Sequence, residues 1–127
     1  MHRVAIYARE DPLPGAQGRL DAQIAELAAF VRRRRGWHVA TYADLCPGTT
    51  LERPGLGQLM AHARAGWFDV VVVERRDRVA PDPRARRLVR DQLAGAAVSV
   101  VVMRPPAGAR VGRVAAALAL VDLIDAR

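Results

Sequence analysis

Three short segments of the chain concentrate groups able to do chemistry: Tyr7 to Asp11, Asp44 to Arg53, and Glu74 to Asp82. They supply Arg9, Arg53, Arg75, Arg76 and Arg78, together with Glu10, Asp11, Asp44, Glu52, Glu74, Asp77 and Asp82. Clustered guanidinium groups suit phosphoryl chemistry on a polynucleotide, because charge grows on the non-bridging oxygens as the bond breaks. The planar fork of donors matches those oxygens. The same residues also fit a solvated face on which arginines pair with acids. Residue types alone leave both readings open.

The elements that must position these segments follow from hydrophobic spacing. Arg3–Ala8 reads as a strand and breaks at Pro12 to Gly15. Gly18 to Arg35 has helical spacing, with Leu20, Ile24, Leu27 and Val31 in one stripe and Gln23 beside it. Gly36 stops that helix and Trp37–Tyr42 is a second strand. Cys46 to Thr50 is loop. Pro54 suits the first turn of a helix carrying Leu56, Leu59, Met60 and Ala63, closed by Gly66. Phe68–Val73 is an apolar run of the kind covered by helices on both faces. A loop with Pro81 and Pro83 leads into a helix from Arg84 to Ala94, and Val98–Met103 is a further buried strand. Pro105, Pro106 and Gly108 make a break before a last helix.

The order β-α-β-α-β-α-β-α predicts a three-layer α/β/α fold with a mostly parallel central sheet. All three reactive segments then lie beyond carboxyl ends of strands, where sites gather in such sheets. The chain is read as one domain, 1–127. Its last helix, 109–127, is apolar around much of its girth and is expected to pack against another subunit. Val111, Val114, Leu118, Val121, Leu123 and Ile124 are its candidate oligomerisation residues, implying a homodimer or homo-oligomer.

Composition narrows the partners. The chain has 127 residues, 51% of them apolar, enough for a real core. Its net charge is +7, and all 20 basic Lys/Arg positions are arginine. A GC-rich coding sequence would give the same bias, yet surplus guanidinium still favours phosphate partners. Cys46 is the sole cysteine, so no internal disulfide forms and a reducing interior is expected. No apolar stretch is long enough to span a bilayer and no signal-peptide profile opens the chain, so the expected location is the cytoplasm with no membrane partner. No cofactor is expected.

"RVAIYAR", then "RLDAQIAEL", then "GTTLERPGLGQLMAHARAGWFDVVVVERRDRVAPD" resembles the catalytic domain of the serine recombinases, the resolvase/invertase family. The resemblance runs over nearly the whole chain and implies a resolvase-like fold ending in a dimerisation helix. It also implies a serine shortly after Tyr-Ala-Arg that attacks a DNA phosphodiester, with arginines stabilising the transition state. Arg9, Gln23, Arg53, Asp77 and Arg78 match the family's site. Two positions depart. Asp11 stands where the serine would fall, and Pro81 where a second arginine would. A carboxylate is a poor nucleophile towards a phosphodiester, and its charge repels the phosphate. Losing one transition-state donor costs about 2.7–4 kcal/mol, and proline stiffens the loop.

Other hydroxyls are poor substitutes on this reading. Ser99, the only serine, is expected to be buried in a different strand. Thr49 and Thr50 lie near Arg53 and are the best spares, and the Tyr7 ring is expected to be packed. The sequence runs to Arg127, about midway along where the family's long helix would run, and no separate DNA-binding region is expected. Arg32–Arg35 is read first as a solvated face at a helix end, where cations suit the dipole.

Two functions compete. The first is a degenerate recombinase-like domain that no longer cleaves DNA and acts through self-association, DNA contact or a partner protein. Its vestigial site would comprise Arg9, Asp11, Gln23, Arg53, Asp77 and Arg78, with Arg9, Arg53, Arg75, Arg76 and Arg78 as phosphate contacts. The alternative is an active recombinase, or a metal-dependent phosphodiesterase in which Glu10, Asp11, Glu74 and Asp77 hold Mg²⁺. Neighbouring arginines weigh against the metal. A phospho-receiver is disfavoured, since the chain has no lysine.

Overall fold

A computed structural model describes residues 1–50 and 53–105. The expected oligomerisation helix with its six candidate residues lies outside that range, as does Glu52.

The elements are β1 (Arg3–Glu10), α1 (Ala16–Arg33), β2 (Trp37–Leu45), α2 (Pro54–Arg64), β3 (Val70–Val73), α3 (Arg76–Val79), α4 (Pro83–Gly95) and β4 (Ser99–Val102). The strands form one sheet in the order β2-β1-β3-β4, every pair parallel. Side chains alternate across it, as the two-residue period of a strand requires. Val4, Ile6, Ala8, Val70, Val72 and Val101 pack with Leu20, Leu27 and Val31 of α1. Ala5, Tyr7, Val71, Val73 and Val100 pack with Leu56 and Leu59 of α2 and with Val89 and Leu93 of α4. The three-layer α/β/α architecture is therefore present, and the all-valine β3 is apolar because both its faces are covered.

The three long helices among the described residues end alike. Beyond α2 the Gly66 N–H donates to Ala63 O and the Trp67 N–H to His62 O, with Gly66 left-handed at φ 80. This double closure satisfies carbonyls that the last turn leaves open. Arg35 (φ 56) and Ala97 (φ 60) hold the equivalent place beyond α1 and α4, through bonds to Arg32 and Ala94. A Cβ there is strained.

Several boundaries differ from expectation. β1 and β2 run on to Glu10 and Leu45, since their parallel pairing continues through Arg9↔Asp44 and Glu10↔Leu45. Arg9, Glu10 and Asp44 read as loop in sequence, but partners let them be buried. β3 starts at Val70. Asp69 before it accepts from Arg3 Nη2 at 2.9 Å. The segment after β3 is not all loop, because Arg76–Val79 makes one helical turn. Ser99 is exposed, contrary to expectation: it is the first residue of β4 and sits at the strand's amino end, away from the core. Among the described residues no helix is long and apolar enough to cross a membrane.

Candidate functional site

The site forms where β1, β2 and β3 deliver their carboxyl ends. Its frame is set by Asp44. The residue preceding α2 is Arg53, whose side chain cannot accept a hydrogen bond, so the helix lacks a cap of its own. Asp44 takes that role from β2. Its carboxylate accepts from Gly55 N at 2.8 Å and from Leu56 N at 2.9 Å. It also accepts from Tyr7 Oη at 2.8 Å. Gly55 is required here, because a Cβ would lie 2.6 Å from Ala43 O. The Tyr7 ring is buried, as expected, and that burial pushes its hydroxyl pKa well above the ordinary value.

Arg53 is 3% exposed and is surrounded by oxygens. Its Nε donates to Thr50 O at 2.7 Å, and its Nη2 to Gly48 O at 3.0 Å. Its Nη1 donates to Arg78 O at 2.7 Å, to Val79 O at 2.9 Å and to Tyr7 Oη at 3.3 Å. One side chain thus fastens the loop before α2 to the turn after β3. The acceptors among the described residues are carbonyls and one phenol, so the positive charge is not cancelled by direct pairing.

Arg9 is also 3% exposed. Its backbone is held by Gln23 of α1, whose Oε1 accepts from Arg9 N and whose Nε2 donates to Arg9 O, each at 3.1 Å. The amide thereby orients the end of β1, which explains a buried glutamine on an apolar helix face. The Arg9 guanidinium donates through Nη1 to Cys46 O and to Asp11 Oδ1, both at 2.8 Å. The Asp11 side chain is 53% exposed. Its hydrogen bond with Arg9 holds its carboxyl below the ordinary range, and the backbone of Gly48 adds to this. The Cys46 thiol is half-buried, and burial raises its pKa.

Arg78 stands between the buried Glu10 and the partly buried Glu74, with Nη2 3.2 Å from Glu74 Oε1 and 3.3 Å from Glu10 Oε2. Glu10 additionally accepts from Gln23 Nε2 at 3.2 Å and from Arg19 Nε at 3.3 Å. The Nε atoms of Arg9 and Arg78 are buried with no acceptor among the described residues.

The strand ends thus bring together Arg9, Glu10, Asp11, Gln23, Arg53, Glu74 and Arg78. Asp77 stays apart: it is exposed and joins no ion pair among the described residues. Arg75 touches only the edge of the cluster, 3.6 Å from Glu74, and Arg76 is exposed. Asp82 is outside the site and caps α4, accepting from Arg84 N and Ala85 N at 2.8 and 3.0 Å. Glu10 and Glu74 do converge, as the carboxylate reading required, but the cation between them is Arg78. Among the described residues no group of three or more His, Cys, Asp or Glu side chains is placed to hold a metal ion. Sequence reasoning missed Arg19, the hydrogen bonds of the Tyr7 hydroxyl to Asp44 and Arg53, and the capping role of Asp44. A helix opening on Arg53-Pro54 without a capping residue was the available signal for the last.

Comparison with solved structures gives the same architecture. The C-terminal catalytic domain of ISC1926 TnpA, an IS607-like serine recombinase, is similar at a TM-score of 0.76 and 22% identity, covering 98% of this chain and 80% of that one. The N-terminal catalytic domain of TP901-1 integrase is similar at 0.73 and 23% identity, covering 98% and 94%. A resolvase family site-specific recombinase from Streptococcus pneumoniae is similar at 0.70 and 16% identity, covering 99% and 89%. No curated protein matches. The family model described as the N-terminal domain of resolvase matches residues 4–122, and the chain belongs to the resolvase family.

Proposed function

We propose that this resolvase-family domain acts by contact and does not cut DNA. It associates with itself or with a partner protein, and its strand-end arginines touch phosphate weakly. The observation that carries this reading is the 2.8 Å pair between Arg9 Nη1 and Asp11 Oδ1. Where the family places a hydroxyl, a carboxylate neutralises an arginine that would have to stabilise a phosphoryl transition state. Pro81 contributes no cation. Arg78 is likewise engaged by Glu10 and Glu74. The two Nε donors that have no partner among the described residues still favour an anion nearby, so phosphate contact without chemistry is consistent with the site. In this proposal the chain is one domain, the helix 109–127 supplies self-association, and the protein works in the cytoplasm.

Incubation of the purified chain with supercoiled plasmid, with and without Mg²⁺ or Mn²⁺, tests it. The expected result is unbroken DNA and no covalent adduct. Nicked circles or a protein-linked strand that disappear on mutating a single side chain would refute the proposal and restore the enzyme reading. A gel shift at low and physiological salt measures the phosphate contact, whose affinity should fall steeply with salt.

A further inference from the structure

Helix α4 is thinly buried for its length. Of its 13 residues only Val89 and Leu93 are buried, and Leu88 is 55% exposed. Between α4, α3 and the ends of β3 and β4 lies a cavity of about 210 Å³. Its floor is apolar: Val73, Val79, Val100 and Val102 are short side chains that do not fill the space under the helix. Its rim is cationic, carrying Arg76, Arg87 and Arg90. These three are exposed, and none takes part in an ion pair among the described residues.

We infer that this pocket docks an acidic segment of a partner protein, anchored by one large apolar side chain. Cavity size selects the anchor. Sites for cofactors or drug-sized ligands run to about 300–1,000 Å³, so this one is too small, whereas a single leucine or phenylalanine fits. A buried anchor in a snug pocket is the usual centre of a protein interface. The rim selects the flanks, since three guanidinium groups without acids of their own recruit carboxylates and can bind them through paired donors. A DNA backbone would satisfy the rim but leave the valine floor in contact with water. An acidic peptide with an apolar anchor satisfies both. Of the candidate phosphate contacts only Arg76 lines the pocket; Arg9, Gln23, Arg53 and Arg78 do not, so its occupancy does not depend on whether the strand-end site cuts DNA.

The test is an amide NMR titration of the full chain with a blocked acidic peptide holding one phenylalanine among glutamates. Its alanine-for-phenylalanine version and a short DNA duplex are titrated in parallel. The expected result is saturable shifts at Val79, Val89, Val100 and Val102, with binding about tenfold weaker for the alanine peptide. The double variant Arg87→Glu/Arg90→Glu, at exposed positions that fold does not need, should weaken the phenylalanine peptide by about tenfold or more. Val102→Phe should block the pocket; if it fails to fold, the arginine variant still decides. No saturable shift up to millimolar peptide overturns the inference. So does equal binding of both peptides, which would leave charge alone. A duplex that shifts the same amides and displaces the peptide would make this a nucleic-acid site. Shifts there on raising protein concentration alone would make it a contact between two copies.

Discussion

Replacing Arg53 separates two views of what a buried arginine does in this site. If it were held for phosphate alone, Arg53→Ala would weaken DNA contact and leave folding intact. The geometry says otherwise, because five acceptors on three segments depend on it: Thr50 O, Gly48 O, Arg78 O, Val79 O and Tyr7 Oη. A hydrogen bond to a charged group contributes roughly 1.5–3 kcal/mol. The five do not add, since several carbonyls lie near the surface and would regain water. Leaving two of these neutral acceptors buried and unsatisfied, at about 1–3 kcal/mol each, puts the loss at about 4 kcal/mol, a large share of the roughly 5–15 kcal/mol that holds a domain together. At this chain length each kcal/mol is worth roughly 3–5 °C, so Arg53→Ala should lower Tm by about 10–20 °C. Arg53→Lys keeps the charge but cannot fork between the two loops, and should recover less than about half of the loss. Urea unfolding followed by circular dichroism and tryptophan fluorescence measures both. Arg75→Ala is the control: its side chain is 58% exposed and only 3.6 Å contact with Glu74 is lost, so its effect should stay within about 0.5 kcal/mol. A stability change below about 1 kcal/mol for Arg53→Ala, with DNA contact abolished, would refute the clamp.

Other outcomes follow from the same geometry. Asp11→Asn removes the acid that occupies Arg9 and should tighten DNA in a gel shift by roughly fivefold, without creating cleavage. Because the Asp11 carboxyl is depressed in the folded chain, its pairing is present above the ordinary carboxylate range and is lost only as pH falls through the lowered value. DNA affinity of the unaltered chain should therefore show no Asp11-linked rise between pH 6 and 8, and only Asp11→Asn should reveal it. Ala97→Gly relieves the left-handed residue that closes α4 and should stabilise by about 1 kcal/mol in urea unfolding. Asp44→Ala removes the cap of α2 and the Tyr7 partner together, and should cost about 2 kcal/mol or more. Burial raises the Cys46 thiol pKa, so iodoacetamide at neutral pH should label the native chain more slowly than a free thiol.

Periodicity alone determined most of the architecture. The Leu20–Val31 stripe, the valine run of β3 and the alternation of β and α segments specify parallel strands between two helical layers, because each apolar face has to be covered. The motifs around Arg9, Arg53 and Arg78 specified which strand ends carry the site, since parallel strands deliver their carboxyl ends to one edge. What a guanidinium bonds to was not legible, because it depends on residues far away in the chain. Arg53 reads as a phosphate contact until the carbonyls of Gly48, Arg78 and Val79 surround it. The clearest case is Asp44. A register shift between Val4 and Ala5 skips Val39 and pairs Tyr7 with Tyr42 and Arg9 with Asp44. Without that one-residue bulge, Asp44 would point to the opposite face of the sheet. A carboxylate two residues past the expected end of a strand looks the same in either register. Only the folded sheet decides that it caps α2 and holds Tyr7 in place.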